Sequence, residues 1–243
     1  MKIKNLTTPL CFTSNCHCYP IIIVTVNYSF NRTLIPAEFL PVLGQITSGK
    51  ADAVLLQKVN QLLTELISIK LRYLQKDPSL TEQEIQRIKT VVPYNLDAWD
   101  GYVVERETLY ATAKQLNKKL VVLAGDTHNA WQSSLKDVDG NHVGVELATS
   151  SVSSPGMEKY LNIPLQQLQQ FEFAFSTLID ELEYTNLNQR GYLKVSFTPS
   201  VMTSEWIFVD TIKDKLYRVD EARNYSLDFD VNLNVIASLK QTA

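Results

Sequence analysis

The chain has 243 residues, of which 45% are hydrophobic and 20% charged, with a formal net charge of −3. This is globular composition with enough length for one sizeable core. The slight negative charge provides no basic field for nucleic acid or an acidic membrane, so an anionic substrate would need a metal or a few arginines. The apolar run Ile21-Ile22-Ile23-Val24 is far too short for a membrane span, and no signal peptide is read in the residues before it.

Cys11, Cys16 and Cys18 surround His17 near the N-terminus. An odd, tightly clustered set is not a disulfide framework. Cys16-His17-Cys18 leaves little room for tetrahedral zinc, and no second ligand pair follows. Residues 1–32 are therefore read as an unassigned leader with one strand at 21–26. Over residues 51–75, Val54, Leu55, Val59, Leu62, Leu63, Leu66, Ile69 and Leu74 recur at helical spacing. Asp77-Pro78 stops that helix. Ser79 or Thr81 caps the next one, which ends at Val91-Val92-Pro93.

A third helix is predicted over 104–117, with acids early and lysines late, as the helix dipole favours. The continuous apolar run Leu120-Val121-Val122-Leu123-Ala124 reads as a strand buried on both faces. Asp139-Gly140 marks a tight turn before a strand at 143–148, and His142 beside that turn is read as solvent-exposed. A helix follows over 165–181. An antiparallel pair is expected at 191–198 and 202–211, turning at Thr198-Pro199-Ser200. The last thirty residues read as weaker strand or coil.

The chemistry centres on Gly125-Asp126-Thr127-His128, directly after the buried strand. Ligands in open α/β sheets bind at the carboxyl ends of strands, and the glycine is expected to permit a sharp turn there. Asp126 offers hard oxygen and His128 a nitrogen, on an extended stretch that lets both lean to one side. That donor pair suits zinc, iron or manganese; the plain alternative is a loop in which Asp126 caps a turn and His128 bonds to backbone. Upstream, Asn95-Leu96-Asp97-Ala98-Trp99-Asp100-Gly101-Tyr102 reads as the start of a helix, with Trp99 and Tyr102 packing and Asp100 or Gly101 capping. Downstream, the hydroxyl-rich 149–156 loop contains no nucleophile elbow. Arg190 is suited to a phosphate or to a structural carboxylate.

Taken in order, Trp99-Asp100-Gly101-Tyr102, Val121-Val122-Leu123-Ala124-Gly125-Asp126-Thr127-His128-Asn129-Ala130-Trp131, Val143-Gly144-Val145-Glu146-Leu147, Ser151-Val152-Ser153-Ser154-Pro155-Gly156, Arg190-Gly191-Tyr192 and Glu205-Trp206-Ile207-Phe208-Val209 closely resemble the C-terminal half of the PhoD-like alkaline phosphatases. These belong to the calcineurin-like metallophosphoesterase superfamily. Residues 34–40 also look like a segment of that family. The resemblance runs from about residue 33 to 212, so residues 33–243 are read as the C-terminal part of such a domain.

The resemblance implies an α/β (α+β) fold, part of a four-layer α-β-β-α sandwich with two mixed sheets. It implies hydrolysis of a phosphomonoester or phosphodiester at a site of two or three metals, iron and calcium in the family, with zinc or manganese as alternatives. Asp126 and His128 fall on the metal-site motif, Asp126 as a ligand and His128 as a ligand or phosphate contact. Trp99, Asp100, Tyr102 and Arg190 would frame the substrate side. Family members are commonly exported; localisation stays open here. The ligand motifs that the family carries in its N-terminal half are not found, and where relatives often have Asn-Pro-His this chain has Ile179-Asp180-Glu181. The expectation is a catalytically incomplete portion, either a remnant or a half served by a separate N-terminal partner.

Overall fold

The computed structural model describes residues 21–26, 32–48 and 52–228. The cysteine cluster and His17 lie outside the described residues. The chain opens with β1 (Ile21–Val26), β2 (Leu34–Pro36), a 3-10 turn at Ala37–Phe39 and α1 (Leu40–Thr47). Next comes α2 (Ala53–Leu74), capped by Asp52, whose carboxylate accepts the Leu55 N–H at 2.8 Å. Its buried residues Leu55, Val59, Leu63, Leu66 and Ile69 follow the expected helical spacing. α3 (Glu82–Lys89) starts at a complete capping box between Thr81 and Glu84. It stops at Lys89, and Val91–Pro93, read as the end of the helix, is instead β3, paired antiparallel with β2.

A 3-10 turn at Trp99–Gly101 leads into α4 (Val103–Gln115), and then β4 (Lys119–Ala124), β5 (Ala130–Lys136) and β6 (His142–Ala148) follow. Beyond the short α5 (Met157–Tyr160), α6 (Leu168–Leu178) is shorter than the predicted helix. Ile179 is already extended, and Leu182–Asn186 forms β7 with Leu182, Thr185 and Asn186 buried. β8 (Arg190–Phe197), β9 (Val201–Val209) and β10 (Val219–Asp228) complete the described chain. The last of these lies in the stretch read as weak strand or coil.

Two sheets stack. The larger has order β1-β4-β6-β5-β7, and the smaller β10-β9-β8. β1, β4 and β6 run parallel, β5 and β7 antiparallel to their neighbours, so the larger sheet is mixed; the smaller is antiparallel throughout. Alternation along β4 decides which layer each side chain meets. Leu120 and Val122 pack with Tyr110 and Ala113 of α4. Val121, with Ala130, Val145 and Leu147, meets Met202, Trp206, Phe208 and Leu227 of the smaller sheet. Farther along, Ala124, Trp131 and Ala148 meet α2 and α6 side chains. Each such large side chain contributes about 1.5–3 kcal/mol by leaving water. The Trp206 indole N–H donates to the Ala148 carbonyl at 2.9 Å, tying the two sheets together. Helices, larger sheet and smaller sheet thus form three layers of the expected sandwich.

The parallel strands place their carboxyl ends side by side. The Gly125 N–H reaches the Val26 carbonyl at 3.2 Å, and the Thr149 N–H reaches that of Ala124 at 3.0 Å. The Gly-Asp-x-His segment therefore leaves the sheet between two neighbouring strand ends.

Candidate functional site

Beyond β4 the backbone does not stay extended. Asp126 has φ +64° and His128 φ +59°. The Thr127 N–H returns to the Gly125 carbonyl at 2.8 Å, closing a γ-turn on Asp126. The expected role of Gly125 is corrected here: its φ is not positive, and a Cβ there would have nothing within 4 Å. The turn is carried by Asp126 and His128 themselves, residue types that tolerate the left-handed region better than most. Strain of this kind gathers at functional sites.

The bend is held from one side. Asn129, buried, accepts the Met157 N–H through Oδ1 at 2.8 Å and donates from Nδ2 to the Thr127 carbonyl at 2.7 Å. His128 Nδ1 lies 2.8 Å from the Pro155 carbonyl. A carbonyl only accepts, so Nδ1 carries a proton and the bond to Pro155 leaves Nε2 as the ring nitrogen available to a metal or substrate. Asp126 is exposed, and its carboxylate has no partner among the described residues.

Asp126 and His128 line one pocket of about 220 Å³, with Thr33, Tyr94, Asn95, Asn129, Trp131 and Tyr160 among its other walls. Tyr94, Thr33 and Tyr160 were not singled out from sequence. Tyr94 adjoins the Asn95–Tyr102 stretch, whereas the other two lie on distant segments with no residue-type signal.

The remaining candidates are placed differently. Trp99 is buried in the cluster beneath α4. Asp100 is buried, taking the Thr33 N–H at 2.9 Å and pairing with Arg106 at 2.7 Å. Tyr102 is 41% exposed. Arg190 pairs with buried Glu158 at 2.6 Å and donates to the Asn188 carbonyl. None of these four lines the pocket. Two of them brace its walls: Asp100 fixes Thr33, and Arg190 fixes the 155–158 segment that holds His128 and Asn129.

Glu181, at the departure from Asn-Pro-His, is also engaged. Its carboxylate takes the Arg32 N–H at 2.9 Å and Arg32 Nε at 2.6 Å. Burial pushes its pKa up, and Arg32 pulls against that shift. His142 is half-buried rather than exposed as read, and burial lowers its pKa, helped by Lys136 and Lys119. In the hydroxyl-rich loop, the Ser151 hydroxyl donates to the Ser154 carbonyl at 2.6 Å, a local turn. Among the described residues no group of three or more His, Cys, Asp or Glu is gathered as a metal site, and no helix is long and apolar enough to cross a membrane.

Fold and site together define a layered α/β protein with a pocket lined by an aspartate and a histidine at the carboxyl ends of parallel strands. The family model described as PhoD-like phosphatase matches residues 52–206, and the chain belongs to that family. Alkaline phosphatase D of Bacillus subtilis (strain 168) is 29% identical over 112 residues, covering 44% of this chain and 18% of that protein. A solved structure, "Structure of PhoD", aligns at 21% identity over 58% of this chain and 26% of that one, with a TM-score of 0.46. The chain thus spans less than a fifth of the curated relative's length.

Proposed function

We propose that this chain contributes the Asp126 and His128 corner of a metal-dependent phosphoester-hydrolase site acting on phosphomonoesters or phosphodiesters. The observation that carries this is the placement of His128. Nδ1 is committed to Pro155, and His128 lines the same pocket as Asp126, whose carboxylate has no partner among the described residues. One carboxylate oxygen and one imidazole nitrogen fit iron, zinc or manganese, and the carboxylate also suits calcium. Such an ion supplies polarisation of a phosphoryl oxygen and acidification of water. The chain's own residues hold the donors: Asn129 fixes the bend, and the Arg190–Glu158 pair anchors the segment that orients the imidazole. On the substrate side Asp100 holds Thr33 in the pocket wall, and Trp99 and Tyr102 belong to the same short turn that follows Ala98.

Two donors are too few for a tight metal cluster, so further ligands come from outside the described residues, on this reading from a separately supplied N-terminal half. The test is hydrolysis of p-nitrophenyl phosphate and bis-p-nitrophenyl phosphate by the full chain with calcium and iron added, alongside manganese titration. Expected are background turnover and weak manganese binding that Asp126→Ala and His128→Ala abolish. Robust turnover lost in Asp126→Ala would show the chain to be complete. Manganese binding indifferent to both substitutions would remove the metal reading.

A further inference from the structure

β1 lies outside the residues matched by the family model, yet it completes the larger sheet. It runs parallel to β4 in unbroken register, from Ile21 beside Lys119 to Val26 beside Ala124, and stands at the end of the strand order. The Gly125 N–H bonds to the Val26 carbonyl. The backbone groups of Ile22, Val24 and Val26 therefore turn toward β4, and by alternation those of Ile21, Ile23 and Thr25 turn outward. Among the described residues, these outward N–H and C=O groups have no partner. A bare edge is a template for another strand, and folded proteins guard their edges with charges, proline or bulges. The other edges of this chain are guarded. β7 carries Glu183 and a register shift, and β8 carries Arg190 and Lys194. β10 has a bulge between Glu221 and Arg223, and the short β2 and β3 end in Pro36 and Pro93. β1 reads Ile-Ile-Ile-Val-Thr-Val, with no charge, no proline and no bulge.

We infer that β1 is a self-association edge, on which a second copy of this chain pairs antiparallel about a two-fold axis at Ile23. The outward backbone groups fix the register. Ile23 faces Ile23 and Ile21 faces Thr25 as the pairs that exchange backbone hydrogen bonds, and Ile22 lies opposite Val24 between them. Pairs of β-branched residues are favourable across strands. The absence of charge is what suits β1 to its own copy, because a charge at the axis would face itself. The two larger sheets become one continuous sheet, and since each chain has one bare edge the association closes at two chains. Antiparallel pairing sends the carboxyl ends of the two β1 strands in opposite directions, so the two pockets of Asp126 and His128 lie at opposite ends of the joint.

The experiment is light scattering on the full chain as it leaves a sizing column at a series of concentrations, paired with backbone hydrogen exchange. The mass should be that of two chains and fall to that of one on dilution. Exchange locates the joint: the Ile23 and Thr25 amides should be slow in the dimer and speed up on dilution, while the Val24 amide, bonded to β4, stays slow throughout. Thr25→Pro removes an outward N–H and leaves the bonds to β4 in place, as an edge strand tolerates. Thr25→Lys sets a cation on the edge at an exposed position. Both variants should lose the dimer and keep the far-ultraviolet spectrum of wild type; if Thr25→Pro unfolds, Thr25→Lys decides. A monomer at every concentration overturns the inference. So does a dimer or larger assembly that survives Thr25→Lys or leaves the Ile23 and Thr25 amides fast.

Discussion

Asn129 joins two turns of chain that lie 28 residues apart: its Oδ1 accepts the Met157 N–H at 2.8 Å while its Nδ2 donates to the Thr127 carbonyl. The amide works as a two-ended clamp. One end satisfies a backbone donor at the start of α5, and the other holds the carbonyl between the two left-handed residues. The loop that presents Asp126 and the loop that orients His128 are therefore tied through one side chain.

Asn129→Ala would strand the buried Met157 N–H and release the Thr127 carbonyl, costing about 1–3 kcal/mol. Asn129→Asp keeps the acceptor for the Met157 N–H but sets a buried carboxylate oxygen against the Thr127 carbonyl, so it should melt well below wild type. Thermal melts rank the three. Hydrogen exchange at Met157 should accelerate in the alanine variant and stay near wild type in the aspartate variant. Unchanged exchange in both would mean that another group holds the segment.

The left-handed backbone at Asp126 makes a separate prediction. Asp126→Gly relieves the Cβ strain of positive φ, partly offset by the greater chain entropy of glycine, and should exceed Asp126→Ala in stability by about 1 kcal/mol. Both should lose manganese binding alike. A residue that destabilises the fold where it serves chemistry gives this combination. A glycine variant that melts below the alanine variant would show that the bend is held by partners and not opposed by its own backbone.

The strand and helix framework was legible in the sequence wherever periodicity was strong. The 3.6-residue pattern of α2 and the apolar run of β4 fall where predicted. β7 was not seen, because Leu168–Leu178 and Leu182–Asn186 are joined by Ile179-Asp180-Glu181, with no glycine or proline to mark the break. In the site, spacing and motif order picked out Asp126 and His128, which the structure brings to one pocket. The reason they meet was not readable: it lies in positive φ angles and a clamp to Met157. Asp100 and Arg190 drew attention as charged residues in motif segments, but their partners, Arg106 and Glu158, are set by tertiary packing. A Glu–Arg pair 32 residues apart leaves no local signature.

The Asp137–Lys114 pair should show itself in acid. Asp137 is buried, which alone would raise its pKa, but Lys114 Nζ at 2.6 Å and the Asn141 side chain and backbone N–H outweigh burial and hold it at about 2. A carboxylate depressed in the folded state contributes stability above its unfolded value of 3.8, and that contribution fades as pH falls toward 2. Lys114 is solvent-exposed, so screening trims the contribution to about 1–2 kcal/mol. Asp137→Asn should be less stable than wild type by that amount at neutral pH, and the gap should close as melts are taken from pH 5 to pH 2. A gap that stays constant would assign the cost to turn geometry instead of charge.

Two glycines of the motif segments should behave oppositely. At Gly125 a Cβ meets nothing within 4 Å and the backbone is not left-handed, so Gly125→Ala should be neutral or more stable by up to about 1 kcal/mol. At Gly156 a Cβ would stand 2.6 Å from the Leu187 carbonyl oxygen, 2.7 Å from Glu158 Oε2 and 3.0 Å from Asn129 Oδ1. The first of these is backbone and cannot swing aside, while the other two belong to the Arg190 pair and the Asn129 clamp. Gly156→Ala should therefore cost about 1–3 kcal/mol and speed exchange at Met157 as Asn129→Ala does. Metal binding separates the outcomes: Gly125→Ala should retain it and Gly156→Ala should weaken it, because the carbonyl that orients His128 sits one residue before the displaced position. If the two alanine variants melt and bind alike, the 155–157 segment does not position the imidazole.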